Sequence, residues 1–507
     1  MNLLQLLEGA EVLAQSGNPS VDGVEYDSRR IKPGDAFVAI QGETSNGNKF
    51  IDRAIAAGAL AIISDSASEK PREGAAWVQV PHGRRALARL SANLYKRPAE
   101  RIAITGITGT NGKSTTAFLL ESILTAANRR SALIGTIEYH VAGKILPAPH
   151  TTPEALDLNR ILAEALANGA SEAVMEVSSH ALVQQRVYGI PFDVAVFTNL
   201  TRDHLDYHHT MDEYFAAKRI LFEGCGTDPP RVTVLNTEDE YGQNLANVSK
   251  KCGSEVFTYG MKSGDLRAEN IDIASRGTQF NLVTPREVIP AFSPLIGKVN
   301  VYNILAAAGA AYARDCSPDE IAKGTASLAR VPGRFERVDC KQPFTVVVDY
   351  AHTDDALRNL TALAREFVQQ AKRKGHVVTV FGCGGDRDRA KRPLMGEAAG
   401  QGSDFVVLTS DNPRSEDPLA IINDARVGLQ RSGTKYKVEP DRKTAIALAI
   451  RDAGPGDIVL IAGKGHEKVQ VTREGSIPFD DVEVARQVLR DSGYNCEAAN
   501  AAVEKNS

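Results

Sequence analysis

The pattern of this chain predicts an α/β protein in three domains: a small amino-terminal α/β unit, a central mainly parallel sheet of the phosphate-loop (P-loop) type, and a doubly wound carboxyl-terminal unit. A length of 507 residues exceeds what one ordinary core organises. Short apolar runs alternate with helical stretches along most of the chain, the rhythm of sheets covered by helices. The run Ile104-Thr-Gly-Ile-Thr-Gly-Thr-Asn-Gly-Lys-Ser-Thr-Thr116 passes from a strand through a glycine loop into a helix.

The first unit, residues 1–98, holds the strand-like runs Ala36–Ile40 and Leu60–Ile63 and turns such as Lys32-Pro33-Gly34-Asp35. Polar Tyr95-Lys-Arg-Pro-Ala-Glu100 reads as a linker. The second unit, 99–332, opens on the glycine-loop strand and continues with strand candidates at 130–134, 172–177, 193–197 and 231–235. Gly297 starts a small-residue helix, and Val331-Pro-Gly-Arg-Phe-Glu336 breaks the pattern. The third unit, 333–507, repeats the alternation at 344–348, 376–381, 404–408 and 457–461, and a frayed tail is expected after Tyr494.

In the glycine loop, Gly109, Thr110, Asn111 and Gly112 bring backbone N–H groups together, Lys113 adds a charge, Ser114 offers a hydroxyl to Mg²⁺, and Thr115 continues into a helix whose N-terminus favours an anion. ATP is the expected nucleotide. Ile107 stands where the strict spacing would place a glycine, so the loop is shortened.

With 59 basic and 63 acidic side chains and a net charge of −4, no global field draws the chain to nucleic acid or to an anionic membrane. Small-molecule partners and a monomer are expected. The opening residues lack a basic region ahead of an apolar run, and no later run is long enough to span a bilayer, so a cytoplasmic protein without membrane insertion is expected. Six scattered cysteines without a Cys-x-x-Cys pair make reduced thiols the default.

Ser178-Ser179-His180 and Thr198–Asp206 each follow a strand. If those strands flank the glycine-loop strand, Glu176 and His204 reach the crevice of Ser114 and offer ligands for phosphate-bridging Mg²⁺. Two alternatives stand beside this reading: a zinc cluster of His204, His208 and His209, which phosphate chemistry and the lack of a nearby cysteine disfavour, and a structural His204.

The ordered motifs Gly109-Thr-Asn-Gly-Lys-Ser114, His150-Thr-Thr-Pro153, Met175–His180, Asn199–Asp206, Asp349-Tyr-Ala-His-Thr353 and Gly382–Asp388 resemble the Mur ligases, and within them the tripeptide synthetases of peptidoglycan assembly. The resemblance runs from Asp27-Ser-Arg29 to Gly463-Lys-Gly-His-Glu467. It implies a UDP-binding domain, a central ATPase and an amino-acid domain, and an ADP-forming ligase that makes its amide through an acyl phosphate. By position it assigns Ser28, Thr151, Thr152, Ser178, Gln184 and Arg186 to the UDP-muramoyl-dipeptide, and Asn303, Arg334 and Asp349 to ATP. Lys113, Glu176 and His204 become catalytic, as does Lys218, which aligns with a lysine carbamylated in the family and would then support a second Mg²⁺. From the residues alone, Lys218 is a lysine on a helix face.

Asp411-Asn412-Pro413-Arg414 resembles the signature of members that add meso-diaminopimelate, with Arg387, Gly463 and Glu467 completing the pocket. L-Lysine lacks the distal carboxylate that an arginine fork would take. Asp-Asn-Pro is also an ordinary turn. The rival readings are an L-lysine-adding ligase, a folylpolyglutamate synthase-like ligase, a nucleotide-hydrolysing switch and an idle UDP-sugar binder. One departure is Asp354, where the family usually continues His-Thr with proline, so the local turn is open.

Overall fold

The computed structural model describes residues 1–42, 45–274, 276–370 and 375–496. The expected frayed tail falls mostly on 497–507, outside the described residues.

Among the described residues three large sheets organise the chain, beside a two-stranded hairpin of Val469–Thr472 and Gly475–Pro478. The first has five strands, in the order Ala14–Ser16, Ala76–Gln79, Ala61–Ser64, Asp35–Ala39 and Gly23–Glu25, parallel except for the first. The central sheet has eleven strands. Its parallel heart runs Ser131–Ile134, Glu172–Glu176, Ala103–Thr108, Val194–Phe197, Val232–Asn236 and Glu255–Gly260. These strands are almost wholly buried up to Val232–Asn236, which is why they read as continuous apolar runs rather than alternating ones. The third sheet sets Thr345–Asp349, Ile458–Ala462, Val377–Phe381, Phe405–Leu408 and Lys435–Val438 in parallel, with Glu336–Val338 antiparallel at one edge.

The α/β expectation therefore holds, and the predicted strands appear within a residue or two. The antiparallel strands Leu266–Ala274, Gly277–Val283 and Val288–Ser293 form an extension of the central sheet that the pattern did not announce. Leu266–Ala274 is largely solvent-facing along its middle, so no apolar run marks it.

Helices Lys113–Ala126 and Lys298–Ala313 pack together over one face of the central sheet. The small residues of the second helix permit that approach: a Cβ on Gly309 would lie 2.7 Å from Val234 Cγ1. The turn left open by Asp354 is settled by capping. Thr353 Oγ1 accepts the Ala356 N–H at 3.1 Å, and Asp354 opens the helix Asp354–Gln370 with its carboxylate at the positive end of the dipole.

One expectation is corrected. Cys340 and Cys496, 156 residues apart, form a disulfide instead of remaining reduced, while Cys225, Cys252, Cys316 and Cys383 are free. The bond closes because the edge strand Glu336–Val338 and the last helix, Asp481–Asp491, share one core cluster, a proximity that no sequence spacing encodes.

Beneath the third sheet, Arg442 and Asp481 make a fully buried two-pronged ion pair at 2.8 and 2.7 Å. The same guanidinium donates to Ser410 O at 3.3 Å and Ala462 O at 3.0 Å, tying together the carboxyl ends of two strands. Removing one partner strands the other charge in a dry core. Arg442→Met is therefore expected to lower the unfolding free energy by about 3–5 kcal/mol, with much of it recovered when Asp481→Leu is added. Urea denaturation checks this, and a loss in Arg442→Met below roughly 1 kcal/mol, the scale of an exposed pair, contradicts it.

Candidate active site

The glycine-loop strand is paired on both sides by the strands whose ends carry Glu176 and Phe197, with Glu176 level with Ile107 and Phe197 level with Thr108. Three carboxyl ends therefore open on one crevice, where parallel sheets bind ligands. Gly109 makes the turn at φ 147°, and a Cβ there would lie 1.9 Å from Thr198 Oγ1, so only glycine fits. Gly112 then caps the helix that begins at Lys113.

The crevice encloses 260 Å³. Thr110, Asn111, Gly112, Lys113, Ser114 and Thr115 line one wall. Thr136, Thr151, Glu176, Ser178, Asp203 and His204 line a second, and Asn303, Arg334 and Asp349 are on the lining as well. Lys113 Nζ donates to Gly109 O at 3.0 Å and to Thr110 O at 2.9 Å. Its pKa is lowered by burial and by Arg334, against the pull of Glu176.

Lys218 lies behind the loop, 1 % exposed, donating to the same Gly109 O at 2.9 Å with its ammonium 4.6 Å from the Tyr214 ring centre. Burial and the neighbouring Lys113 charge hold its pKa well below the usual lysine value. Helix-face lysine was the plain reading, and the structure instead buries it.

Arg334 Nη2 donates to Ser114 Oγ at 3.2 Å, and its guanidinium stacks 4.6 Å from the Tyr350 ring centre. Asp349, its pKa raised by burial, accepts the Phe335 and Ala351 N–H groups at 2.6 and 2.8 Å. Asn303 Nδ2 donates to Asn300 Oδ1 at 3.1 Å.

Asp203 joins the central and third sheets. Its carboxylate lies 3.3 Å from Lys391 Nζ, 3.5 Å from His204 Nε2 and 3.6 Å from His352 Nε2. Burial opposes its charge, yet these neighbours hold its pKa well below the carboxylate range. Asn111 Nδ2 reaches Asp355 at 3.0 Å, and Arg202 reaches Asp388 at 3.3 Å, across the same gap.

The donor set suits magnesium better than zinc. Ser114, Glu176 and His204 line one cavity, while among the described residues no three of His, Cys, Asp and Glu converge as a metal cage. An ion held partly by phosphates needs only one or two carboxylates. Glu176 is oriented by the Thr136 N–H at 2.8 Å and hydroxyl at 2.9 Å. His208, a zinc candidate, instead hydrogen-bonds Ser179 Oγ at 2.8 Å.

Thr152 bonds Glu176 O at 2.9 Å and the Ser178 N–H at 3.0 Å, and its carbonyl accepts Arg186 Nη1 at 3.0 Å; Arg186 also grips Gln184. Thr152, Gln184 and Arg186 thus stand behind the lining Ser178. Ser28 is buried in the first sheet's neighbourhood and does not line the cavity.

Off the third sheet, Asp411-Asn412-Pro413-Arg414 and the loop from Gly463 to Glu467 face each other. Asn412 Nδ2 donates to Glu467 Oε2 at 2.8 Å. Arg414 takes φ 53°, rare for a side-chain-bearing residue, with its N–H on Val471 O at 3.0 Å. An atom placed on Gly384 would lie 3.0 Å from Arg414 Nη1 and 3.8 Å from Arg387 Cγ, so two guanidinium side chains flank that glycine.

Comparison with known proteins matches three domain models in succession: the Mur ligase family catalytic domain over residues 20–95, the Mur ligase middle domain over 107–311, and the Mur ligase glutamate ligase domain over 333–465. A curated relative from Solibacter usitatus is 53% identical, covering 98% of this chain and 99% of its own. The chain belongs to the Mur ligase family.

That relative is named UDP-N-acetylmuramoyl-L-alanyl-D-glutamate--2,6-diaminopimelate ligase, as is one from Geobacter metallireducens, 43% identical over 95% of this chain and 98% of its own. A solved structure of a ligase with the same name is 34% identical, with TM-score 0.65, covering 94% of this chain and 96% of the other. MurF of Thermotoga maritima in complex with ADP shares the fold at TM-score 0.64 and 19% identity, covering 93% of this chain and 97% of its own.

Sequence reading of this Mur ligase missed Lys391, His352 and Asp355 as partners across the gap, and the fully buried Lys464. The partners of Lys391, His352 and Asp355 lie far along the chain, in Asp203 and Asn111, and Lys464 is joined to distant Asn412 as well as to nearby Glu467. His208 supplies a pH test. Burial and the nearby His180 push its pKa down to about 4 from 6.5, so the folded protein binds fewer protons than the unfolded chain between those values. Its stabilising share is complete above pH 6.5 and fades as pH falls toward 4. Moving from pH 7 to 5 is expected to cost on the order of 2 kcal/mol through this group. Unfolding curves of parent and His208→Gln at both pH values check it, and equal pH sensitivity in the two contradicts it.

Proposed function

We propose that this Mur ligase adds meso-diaminopimelate to UDP-N-acetylmuramoyl-L-alanyl-D-glutamate with conversion of ATP to ADP and phosphate, acting as a cytoplasmic monomer in peptidoglycan synthesis. Residues 1–98 would hold the UDP moiety with Ser28, 99–332 the ATP, and 333–507 the incoming amino acid. Among the described residues no helix is long and apolar enough to cross a membrane.

ATP phosphates would lie against the N-terminus of the helix Lys113–Ala126, with Lys113 and Arg334 on the transferring group and Asn303 and Asp349 on the nucleoside. Thr151, Thr152, Ser178, Gln184 and Arg186 would position the dipeptide so that its γ-carboxylate oxygen attacks the γ-phosphorus and ADP leaves. The diaminopimelate amine then attacks the acyl carbon, loses a proton, and phosphate departs from the tetrahedral intermediate. Ser114, Glu176 and His204 would hold one magnesium ion and carbamylated Lys218 would support a second, and the metal would neutralise phosphate charge.

The observation that carries the choice of amino acid is the pairing of Arg387 and Arg414 beside Asn412 and Glu467: cations and an amide for a distal carboxylate, a carboxylate for a distal ammonium. Arg414 is half-buried with Nη1 already on Gly385 O at 2.8 Å, and a site built to hydrogen-bond a substrate group rejects a substrate lacking it by up to roughly 10⁴ to 10⁵. Amino-acid incorporation assays with ATP and the UDP-dipeptide test this. The parent should strongly prefer meso-diaminopimelate over L-lysine, and Arg414→Ala should lose about 2–5 kcal/mol in kcat/KM for the former while changing the weak lysine reaction far less. Equal use of both substrates, or equal damage to both, contradicts the assignment.

Burial and the Lys113 charge lower the Lys218 pKa, which favours the free amine that CO₂ needs: the amine nitrogen bonds the carbon, one proton leaves, and a carbamate anion results. Lys218→Ala should lose most activity and regain part of it with added acetate. Undiminished activity of that variant, or an unmodified amine in the active parent by mass spectrometry, refutes the carbamate.

A further inference from the structure

Between the strand end at Ala462 and Glu467 sits Lys464, whose side chain is fully buried. Its ammonium has two side-chain acceptors, Asn412 Oδ1 at 2.9 Å and Glu467 Oε2 at 3.0 Å. Both belong to the amino-acid pocket. A side chain with no exposed surface does not touch a ligand, so whatever Lys464 contributes passes through those two groups.

We propose that Lys464 is a positioning residue for amino-acid selection: it fixes the orientation of the Asn412 amide and of the Glu467 carboxylate, and so presents a matched donor and acceptor to the distal end of the diamino diacid. The proposal rests on the reading of the pocket given above. Asn412 Oδ1 accepts from the Lys464 ammonium and also from the Val471 N–H at 2.9 Å. Both partners can only donate, so the oxygen must face them and Nδ2 must face Glu467. Nδ2 spends one hydrogen on Glu467 Oε2 at 2.8 Å and keeps the other.

Glu467 is arranged by the same contacts. Its Oε2 takes Asn412 Nδ2 and Lys464 Nζ, while Oε1 has no hydrogen-bond partner among the described residues. The pocket thus offers one amide N–H beside one carboxylate oxygen, the pair that a carbon bearing both a carboxylate and an ammonium requires. Without Lys464 the amide oxygen keeps only the Val471 N–H, and Glu467 loses the ammonium hydrogen-bonded to its Oε2, so both groups gain freedom to turn. The hairpin of Val469–Thr472 and Gly475–Pro478 helps hold the pocket, since Gln470 Nε2 donates to Asp411 O at 2.7 Å, but it supplies no charge to Glu467.

Steady-state kinetics of the full chain, with each of the three substrates varied in turn, test this in Lys464→Met and Lys464→Gln. The expected result is a KM for meso-diaminopimelate raised about 10–100-fold, the size seen when an outer partner of a binding group is removed, with KM for ATP and for the UDP-dipeptide held within about twofold. The preference for meso-diaminopimelate over L-lysine should fall with it. Adding Glu467→Gln to Lys464→Met should then cost less than the same change costs in the parent, because the two residues act as one unit. An unchanged KM for meso-diaminopimelate, a joint rise in all three KM values, or full additivity overturns the proposal. Loss of the folded state in both variants by circular dichroism assigns Lys464 to the core and overturns it too. If the parent itself does not incorporate meso-diaminopimelate, the reading of the pocket fails first, and this proposal falls with it.

Discussion

Two lysine ammonium groups share one carbonyl oxygen, and much of the active site follows from that crowding. Lys113 and Lys218 both donate to Gly109 O, one from the helix that follows the loop and one from a helix that begins a hundred residues later. Burial lowers the protonation of both, with the Lys113 charge adding to the effect on Lys218 and the Arg334 charge to that on Lys113, and cations gathered away from water attract anions. The loop is therefore poised for phosphates on its open side. On its closed side, burial and the Lys113 charge hold the Lys218 pKa well below the usual lysine value.

That crowding is possible only because of strand order. The glycine-loop strand lies between the strands ending at Glu176 and Phe197, so a carboxylate and the segment carrying Asp203 and His204 meet the loop at one edge. Asp203 then reaches into the third sheet's territory, where Lys391 and His352 answer its charge. Arg334 on Ser114 and Asn111 on Asp355 cross the same gap. The crevice is thus walled by residues of both the central and the third units.

The sheets and the crevice were legible because their signals are local. Gly109 to Thr115 is one continuous motif, and buried parallel strands such as Ala103–Thr108 and Val377–Phe381 are unbroken apolar runs. What escaped has partners distant in sequence. Cys340 with Cys496, Arg442 with Asp481 and Lys464 with Asn412 are each single residues without periodicity, and only the fold makes them pairs. Lys218 reads as a lysine on a helix face, and the helix Met211–Glu223 turns that face inward. Of the strands after Gly260, Leu266–Ala274 escaped because its exposed middle is mostly polar.

The central claim is that this cleft makes an amide through an acyl phosphate, and the fate of one oxygen atom tests it most directly. UDP-N-acetylmuramoyl-L-alanyl-D-glutamate labelled with ¹⁸O in the glutamyl γ-carboxylate is turned over with ATP and meso-diaminopimelate, and the released phosphate is weighed by mass spectrometry. Attack of the carboxylate on the γ-phosphorus predicts one labelled oxygen in each phosphate, formed in step with the amide. Phosphate that carries only unlabelled carboxylate-independent oxygen, while amide still accumulates, would contradict the account.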